Sequence, residues 1–362
     1  MNNINQKIQS LLNQIVEEDA ERGLQVAAYH RGELIVDAAA GTMDAATGRP
    51  VTSSTLFPVF STTKGFAATL THILVERGKV AYETRLADVW PEFAAHGKGK
   101  VTLQHALNHT AGVPLMPLAT THRDLASWDK MCALIADLTP VSPAGMQHQY
   151  HAITYSWTVG EVLRRVDGRS FQQMLHEEIN VPLGTSREIY VGISDDAEPR
   201  VATLEAGPAD PSAPPPDFTT PQAIPPLVLP LHDWMNRADA RRACIPASTG
   251  IMSARAIARH YASLLPGGVD GVELLSPERV RIATEQQYPG NYKPEDPLPP
   301  HRLGYGAGSG FAPTTFGHGG AGGSSGFADP VSGIAFAFTR NRFVSGETLP
   351  RIFEALHQAL GS

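Results

Sequence analysis

The stretch Leu56-Phe57-Pro58-Val59-Phe60-Ser61-Thr62-Thr63-Lys64-Gly65-Phe66-Ala67-Ala68-Thr69-Leu70 decides how the rest of the chain is read. An apolar, strand-like run ends at Ser61. A helix-patterned run follows, with Phe66, Ala67, Leu70, Ile73 and Leu74 on one face, and it closes at Gly78. Ser61 therefore falls at or just inside a helix N-terminus, with Lys64 one turn further on the same face. Unpaired N–H groups and the helix dipole favour negative charge there. A serine hydroxyl gains nucleophilic character from that placement, and a nearby amine can stabilise the alkoxide or, once desolvated and neutral, take its proton.

Ser-x-x-Lys occurs a second time, at Ser127-Trp128-Asp129-Lys130. There it reads as a helix start, with Ser127 capping and Met131, Leu134, Ile135 and Leu138 forming the buried face. Spacing alone does not separate the two copies, so the partners of Ser61 decide.

The composition bounds the possibilities. The chain has 362 residues, 42% hydrophobic and 18% charged, which suffices for one large domain or two lobes with real cores. A net charge of −7 without a basic cluster argues against nucleic-acid and anionic-membrane partners. Two distant cysteines, Cys132 and Cys244, make neither a disulfide framework nor a zinc site and read as thiols of a reducing compartment. The N-terminus shows Ile4, Ile8, Leu11, Leu12, Ile15 and Val16 at helical spacing, an amphipathic helix rather than a signal peptide. With no long apolar run, a cytoplasmic location is expected.

Leu24–Tyr29 and Leu34–Val36 read as a hairpin, and helix-like segments fall near 124–138 and 156–181. Residues 207–230 hold nine prolines, which excludes helix and central strand and suggests a surface excursion or a stiff wall beside the site. Ser248-Thr249-Gly250 leads into a helix over 254–265, and strands at 326–328 and 333–339 precede a last amphipathic helix. Strands cluster at both ends and helices between them. The expected fold is α+β: an antiparallel sheet lobe from 1–60 and 245–362, with a mainly helical lobe, 61–244, inserted.

A serine nucleophile needs a proton acceptor, a proton donor for the leaving group and N–H donors for the oxyanion. Pro143-Ala144-Gly145-Met146-Gln147-His148-Gln149-Tyr150-His151 reads as a turn delivering Tyr150, a phenol that could serve as base if ammonium charge from Lys64 lowers its pKa. Tyr155 is the rival, but Trp157, Val159, Val162, Leu163 and Val166 place it on a buried helix face. Gly317-His318-Gly319-Gly320-Ala321-Gly322 matches G-x-G-x-x-G, yet strand-like residues follow instead of a helix, so a dinucleotide site is rejected. Glycines at such a strand edge let a substrate approach closely. His105 and His109 lie at i, i+4 without a third ligand and read as turn-capping residues, with no metal implied. His148 reads as a solvated turn residue, His151 as support for Tyr150, and Asp329 as a turn former.

With these pieces in order, nearly the whole chain resembles the serine β-lactamase/penicillin-recognising superfamily, in the class C-like branch that holds the family VIII esterases and related transacylases. The carriers are Ser61-Thr62-Thr63-Lys64, His109-Thr110-Ala111-Gly112, Pro143-Ala144-Gly145 before Tyr150, and Gly317-His318-Gly319-Gly320 before Asp329-Pro330. The resemblance implies that Ser61 is acylated and that Lys64 and Tyr150 share the base and acid work. It puts the N–H groups of Ser61 and Ala321 in the oxyanion hole, and His318, Gly319 and Gly320 against substrate. No cofactor is implied.

Two departures tell against β-lactams. Ala152 stands where lactamases of this branch have the Asn of Tyr-x-Asn, and His318 where they have the Lys of Lys-Thr-Gly. The expected activity is hydrolysis of small esters through an acyl-serine. Transfer of the acyl group to an alcohol or amine, weak β-lactamase activity, and a non-catalytic scaffold are the alternatives. The oligomeric state is not legible.

Overall fold

The computed structural model describes residues 3–208, 219–293, 295, 302–307, 312–343 and 346–360. The elements that matter here begin with helix α1 (Asn3–Glu17), strands β1 (Gly23–His30), β2 (Glu33–Asp44), β3 (Arg49–Pro50) and β4 (Phe57–Phe60), and helix α2 (Thr63–Glu76). Helices α3 (Trp128–Ala136) and α4 (Tyr155–Asp167) follow, then β5 (Ile189–Val191), β6 (Gly250–Met252) and α5 (Ala254–Ala262). The chain closes with β7 (Gly306–Ala307), β8 (Phe316–Gly319), β9 (Ser325–Asp329), β10 (Ile334–Arg340) and α6 (Thr348–Leu360).

The main sheet runs β3-β2-β1-β10-β9-β8-β7, and every neighbouring pair is antiparallel. The two chain ends meet at its centre, where Leu24 pairs with Arg340 and His30 with Ile334. This is the α+β architecture expected from the strand distribution. Period-2 alternation divides the strands between two cores. Leu24, Val26, Phe336 and Phe338 point outward onto Ile8, Leu12 and Ile15 of α1 and Ile352 and Leu356 of α6. Each such buried side chain contributes roughly 1.5–3 kcal/mol.

The inner face is built from smaller residues, among them Ala27, Ala335 and Ala337. The reason is the closeness of α5: a Cβ on Gly326 would stand 2.3 Å from Ile257 and 2.8 Å from Tyr261. A second sheet, β4-β6-β5, joins strands from either side of the expected lobe boundaries and holds the segment that carries Ser61.

Most elements lie where the periodicity predicts them. Cys132 is buried and Cys244 half-buried, and both are free thiols. Ser127 occupies the N-cap position of α3, but its side chain makes no capping bond, and Lys130 pairs with Asp124. The second Ser-x-x-Lys is thus a helix start. Of the proline-rich stretch, residues 209–218 lie outside the described residues. Among the described residues no helix is long and apolar enough to cross a membrane.

Candidate active site

Strand β4 ends on Phe60, which has φ +47°, an uncommon left-handed conformation for an aromatic residue. The chain turns there, so Ser61 emerges from the strand as α2 is about to begin. Thr62 occupies the N-cap position without a side-chain cap, and Thr62 through Leu70 are buried. Ser61 alone in this run keeps partial access to solvent.

Lys64 is fully buried, and Nζ has three partners. It lies 3.1 Å from Ser61 Oγ, 2.9 Å from the Ala152 carbonyl and 3.0 Å from the Ala247 carbonyl. Burial holds its pKa well below the ordinary lysine value, and no carboxylate among the described residues offsets it. Carbonyls only accept, so two N–H bonds of a neutral amine are committed to Ala152 and Ala247. The nitrogen lone pair is then left for the Ser61 hydroxyl.

Tyr150 comes in from the loop before α4. The ring of Tyr150 lies 4.9 Å from Lys64 Nζ, and that of Tyr155 lies 5.7 Å away on another side. Burial drives the Tyr150 phenol up to about 12, and a hydrogen bond with Ser61 only partly opposes it. This corrects the sequence-based expectation of a depressed phenol. Burial lowers Lys64 as well, which works against the ammonium charge that expectation needs, and it favours the protonated phenol. Tyr155 is fully buried, and its hydroxyl has no hydrogen-bond partner among the described residues.

His318, on β8, faces Tyr150 with ring centroids 6.2 Å apart. Its Nδ1 lies 2.6 Å from the Gly319 carbonyl, which can only accept, so the proton sits on Nδ1 and Nε2 offers a lone pair. Burial above all pushes its pKa down to about 3, and any charge on the neighbouring Lys64 acts in the same direction. His318 is therefore an uncharged hydrogen-bonding group. Tyr150 and His318, with His109, Leu107, Arg302 and Tyr305, line a cavity of 190 Å³. The Arg302 guanidinium donates to the Thr284 and Pro313 carbonyls, each at 2.7 Å.

The turn after β8 brings Ala321 into the same region. Gly320 N–H donates to the Ser324 carbonyl at 2.7 Å, and Arg340 Nε donates to the Gly322 carbonyl at 2.7 Å. The two glycines differ in what they serve. A Cβ on Gly320 would stand 2.1 Å from the Val59 carbonyl, so this glycine is required by packing onto β4. Gly319 has no atom nearer than 3.8 Å to such a Cβ and is the one that leaves room for a substrate. The G-x-G-x-x-G match leads into a short 3₁₀ turn and β9, with no helix to receive a pyrophosphate.

Two features carried little sequence signal. The carbonyls of Ala152 and Ala247 fix Lys64, and a backbone acceptor leaves no mark on residue type. His148 is half-buried against the His109 ring, 5.8 Å between centroids, instead of solvated. Among the described residues no group of three or more histidine, cysteine or acidic side chains is placed to hold a metal.

A sheet of both chain termini, a helical body between its ends, and a serine with a buried lysine, a tyrosine and a glycine-rich strand at the junction define the penicillin-recognising class of serine enzymes. Residues 8–360 match the family described as Beta-lactamase, and the chain belongs to that family. It is a serine hydrolase of the β-lactamase superfamily. It is 33% identical over 348 residues to the esterase/β-lactamase LipL of Mycobacterium tuberculosis (strain ATCC 25618 / H37Rv), covering 89% of this chain and 78% of that protein. Its fold superimposes on a family VIII carboxylesterase with a TM-score of 0.87 at 29% identity, over 99% of this chain and 98% of that one. A penicillin-binding protein homologue from Caulobacter crescentus gives 0.84 at 31% identity, over 99% and 98%.

Proposed function

We propose that this enzyme is a carboxylesterase that hydrolyses small, uncharged esters through an acyl group on Ser61. The observation that carries the reading is the state of Lys64: buried, without a carboxylate, two of its donors held by carbonyls and its third position 3.1 Å from Ser61 Oγ. Such an amine is a base as it stands. It takes the Ser61 proton as Oγ attacks the ester carbonyl. The N–H groups of Ser61 and Ala321 receive the oxyanion. Tyr150, protonated, gives its proton to the departing alkoxide and regains one from the Lys64 ammonium. Water then enters, and the same groups run in reverse to release the acid.

The preference for neutral esters rests on charge. His318 is neutral, and the Arg302 guanidinium is turned to backbone carbonyls. A substrate carboxylate, as a β-lactam carries, would lack at His318 a cationic partner to offset its desolvation, and two arms of the Arg302 cation are already engaged. The esterase and carboxylesterase named among the relatives support this reading.

Intact-mass spectrometry tests it. Incubation with a fluorophosphonate and with p-nitrophenyl acetate and butyrate should add one phosphonyl or acyl group to the wild type and none to Ser61→Ala. Ester turnover in Tyr150→Phe should fall by about 10²–10⁴. Adducts persisting in Ser61→Ala, or capture of a chromogenic cephalosporin in preference to the esters, would overturn it.

A further inference from the structure

The His109-Thr110-Ala111-Gly112 turn is a motif that the chemistry above leaves without work. It sits directly beneath the loop that delivers Tyr150. That loop has no helix or strand of its own from Val141 to Tyr150, so its backbone polar groups need partners elsewhere. The turn supplies them. The N–H groups of Val141, Gly145 and Gln149 donate to the carbonyls of Gly112, Thr110 and His109 at 2.8, 2.9 and 3.0 Å. The N–H of His151 donates to His109 Nδ1 at 3.2 Å. The residues on both sides of Tyr150 are thus tied to a single residue, one through its carbonyl and the other through its ring.

The turn is shaped for this. His109 has φ +61°, so its carbonyl and its ring both face the loop. Gly112 has φ +79°, and a Cβ there would stand 2.3 Å from the Ser142 carbonyl. The His109 ring packs on Tyr150, 4.7 Å between centroids, and on Tyr155 at 5.3 Å. His151 completes the clamp. Its Nδ1 donates to the Gln149 carbonyl, and its Nε2 accepts the Val113 N–H at 3.1 Å.

We propose that His109 is a positioning residue for Tyr150, acting as a neutral imidazole whose Nδ1 and backbone carbonyl together set where the phenol stands relative to Ser61. The inference rests on the reading of Tyr150 as the proton donor to the leaving group. Because Nδ1 accepts, His109 works only unprotonated. Burial disfavours its cation, and the facing His151, Lys64, His148 and His318 oppose it further wherever they carry charge. Tyr150 and Tyr155 are the remaining titratable groups against its ring.

Three variants separate positioning from simple packing. Asparagine and glycine both accept a positive φ. His109→Asn places an amide oxygen about where Nδ1 stands and keeps the acceptor for the His151 N–H. His109→Gly removes it, and His109→Gln moves the acceptor toward the Nε2 position. With p-nitrophenyl butyrate, kcat should fall about ten- to a hundredfold in His109→Gly and His109→Gln. KM should stay within about threefold, and His109→Asn should stay within about threefold of wild type. Added to Tyr150→Phe, His109→Gly should cost nothing further in kcat. Full additivity in that double variant, or equal losses in the asparagine and glycine variants, would overturn the inference. If Tyr150→Phe itself keeps full kcat, the reading of Tyr150 fails and this inference falls with it. If Tyr150→Phe is impaired and the losses add, the inference alone falls.

Discussion

Burial works against the role that the ordinary pKa of Lys64 suggests and reinforces that of Tyr150. A lysine in water is an acid at neutral pH and so is a phenol, and a Ser-Lys-Tyr set read from sequence invites the picture of ammonium charge creating a phenolate. Burial removes the premise. Burial lowers Lys64, with no carboxylate beside it among the described residues, and raises the Tyr150 phenol even though that residue is 38% exposed. In the mechanism proposed above, the amine therefore serves as the base and the phenol as the acid. At the same scale the two glycines after His318 give a sharp contrast. Gly320→Ala puts a methyl group 2.1 Å from the Val59 carbonyl, a rigid backbone atom, and should destabilise the fold by about 1–3 kcal/mol. It should also lower kcat by displacing the Ala321 turn. Gly319→Ala meets only the Ser324 carbonyl, at an unstrained 3.8 Å, and should leave thermal stability unchanged while raising KM. Differential scanning calorimetry with steady-state kinetics on both variants checks the pair.

Helix α4 shows what an element must do besides carry an apolar face. Its buried Glu161 accepts from Trp128 Nε1 at 2.7 Å, from Arg164 Nε at 2.7 Å and from Arg165 Nε at 2.6 Å. Burial alone would raise this carboxyl, but the hydrogen bonds from Arg164, Arg165 and Trp128 outweigh it and hold it at about 2. Glu161 thereby joins α4 to the start of α3, where the spare Ser-x-x-Lys lies. Glu161→Gln should cost about 3 kcal/mol in urea denaturation, since it removes the negative charge and turns one of the two accepting oxygens into an NH2 that faces other donors. The kinetics of ester hydrolysis should change little, because Glu161 is not among the residues that meet at Ser61. The apolar periodicity of α4 is plain in the sequence, and it placed Tyr155 in the interior. The Glu161 network is not, because its Trp128 partner lies 33 positions earlier.

Over the whole molecule, the buried histidines set the acid limit of stability. His72, His151 and His260 are fully buried, and burial drives their pKa values down to about 3, 4 and 3. The unfolded chain binds these protons near 6.5 and the native state only near 3 to 4. Protonation between those limits therefore favours unfolding, and stability rises with pH across the window. From pH 6.5 down to pH 5.5 the three should together remove about 3 kcal/mol, roughly 1 from each. Urea midpoints measured at both pH values check this. A stability unchanged across that unit would mean that these rings are charged in the native state. Activity should fall on the same side, since the proposed mechanism uses Lys64 and His109 in their neutral forms.

From the sequence alone came the plan of the chain: strands at its ends, helices between, and Ser61 at a strand-to-helix junction one turn ahead of Lys64. Those features are local. Periodicity, turn glycines and the i, i+3 spacing act over a few residues, and a linear reading captures them. It could not show that Lys64 is held by the carbonyls of Ala152 and Ala247, that Tyr150 keeps its proton, or that His109 grips the loop on both sides of Tyr150. Solvation and backbone acceptors decide those matters. Both depend on which distant segments close over a group, so they exist only once the chain has folded.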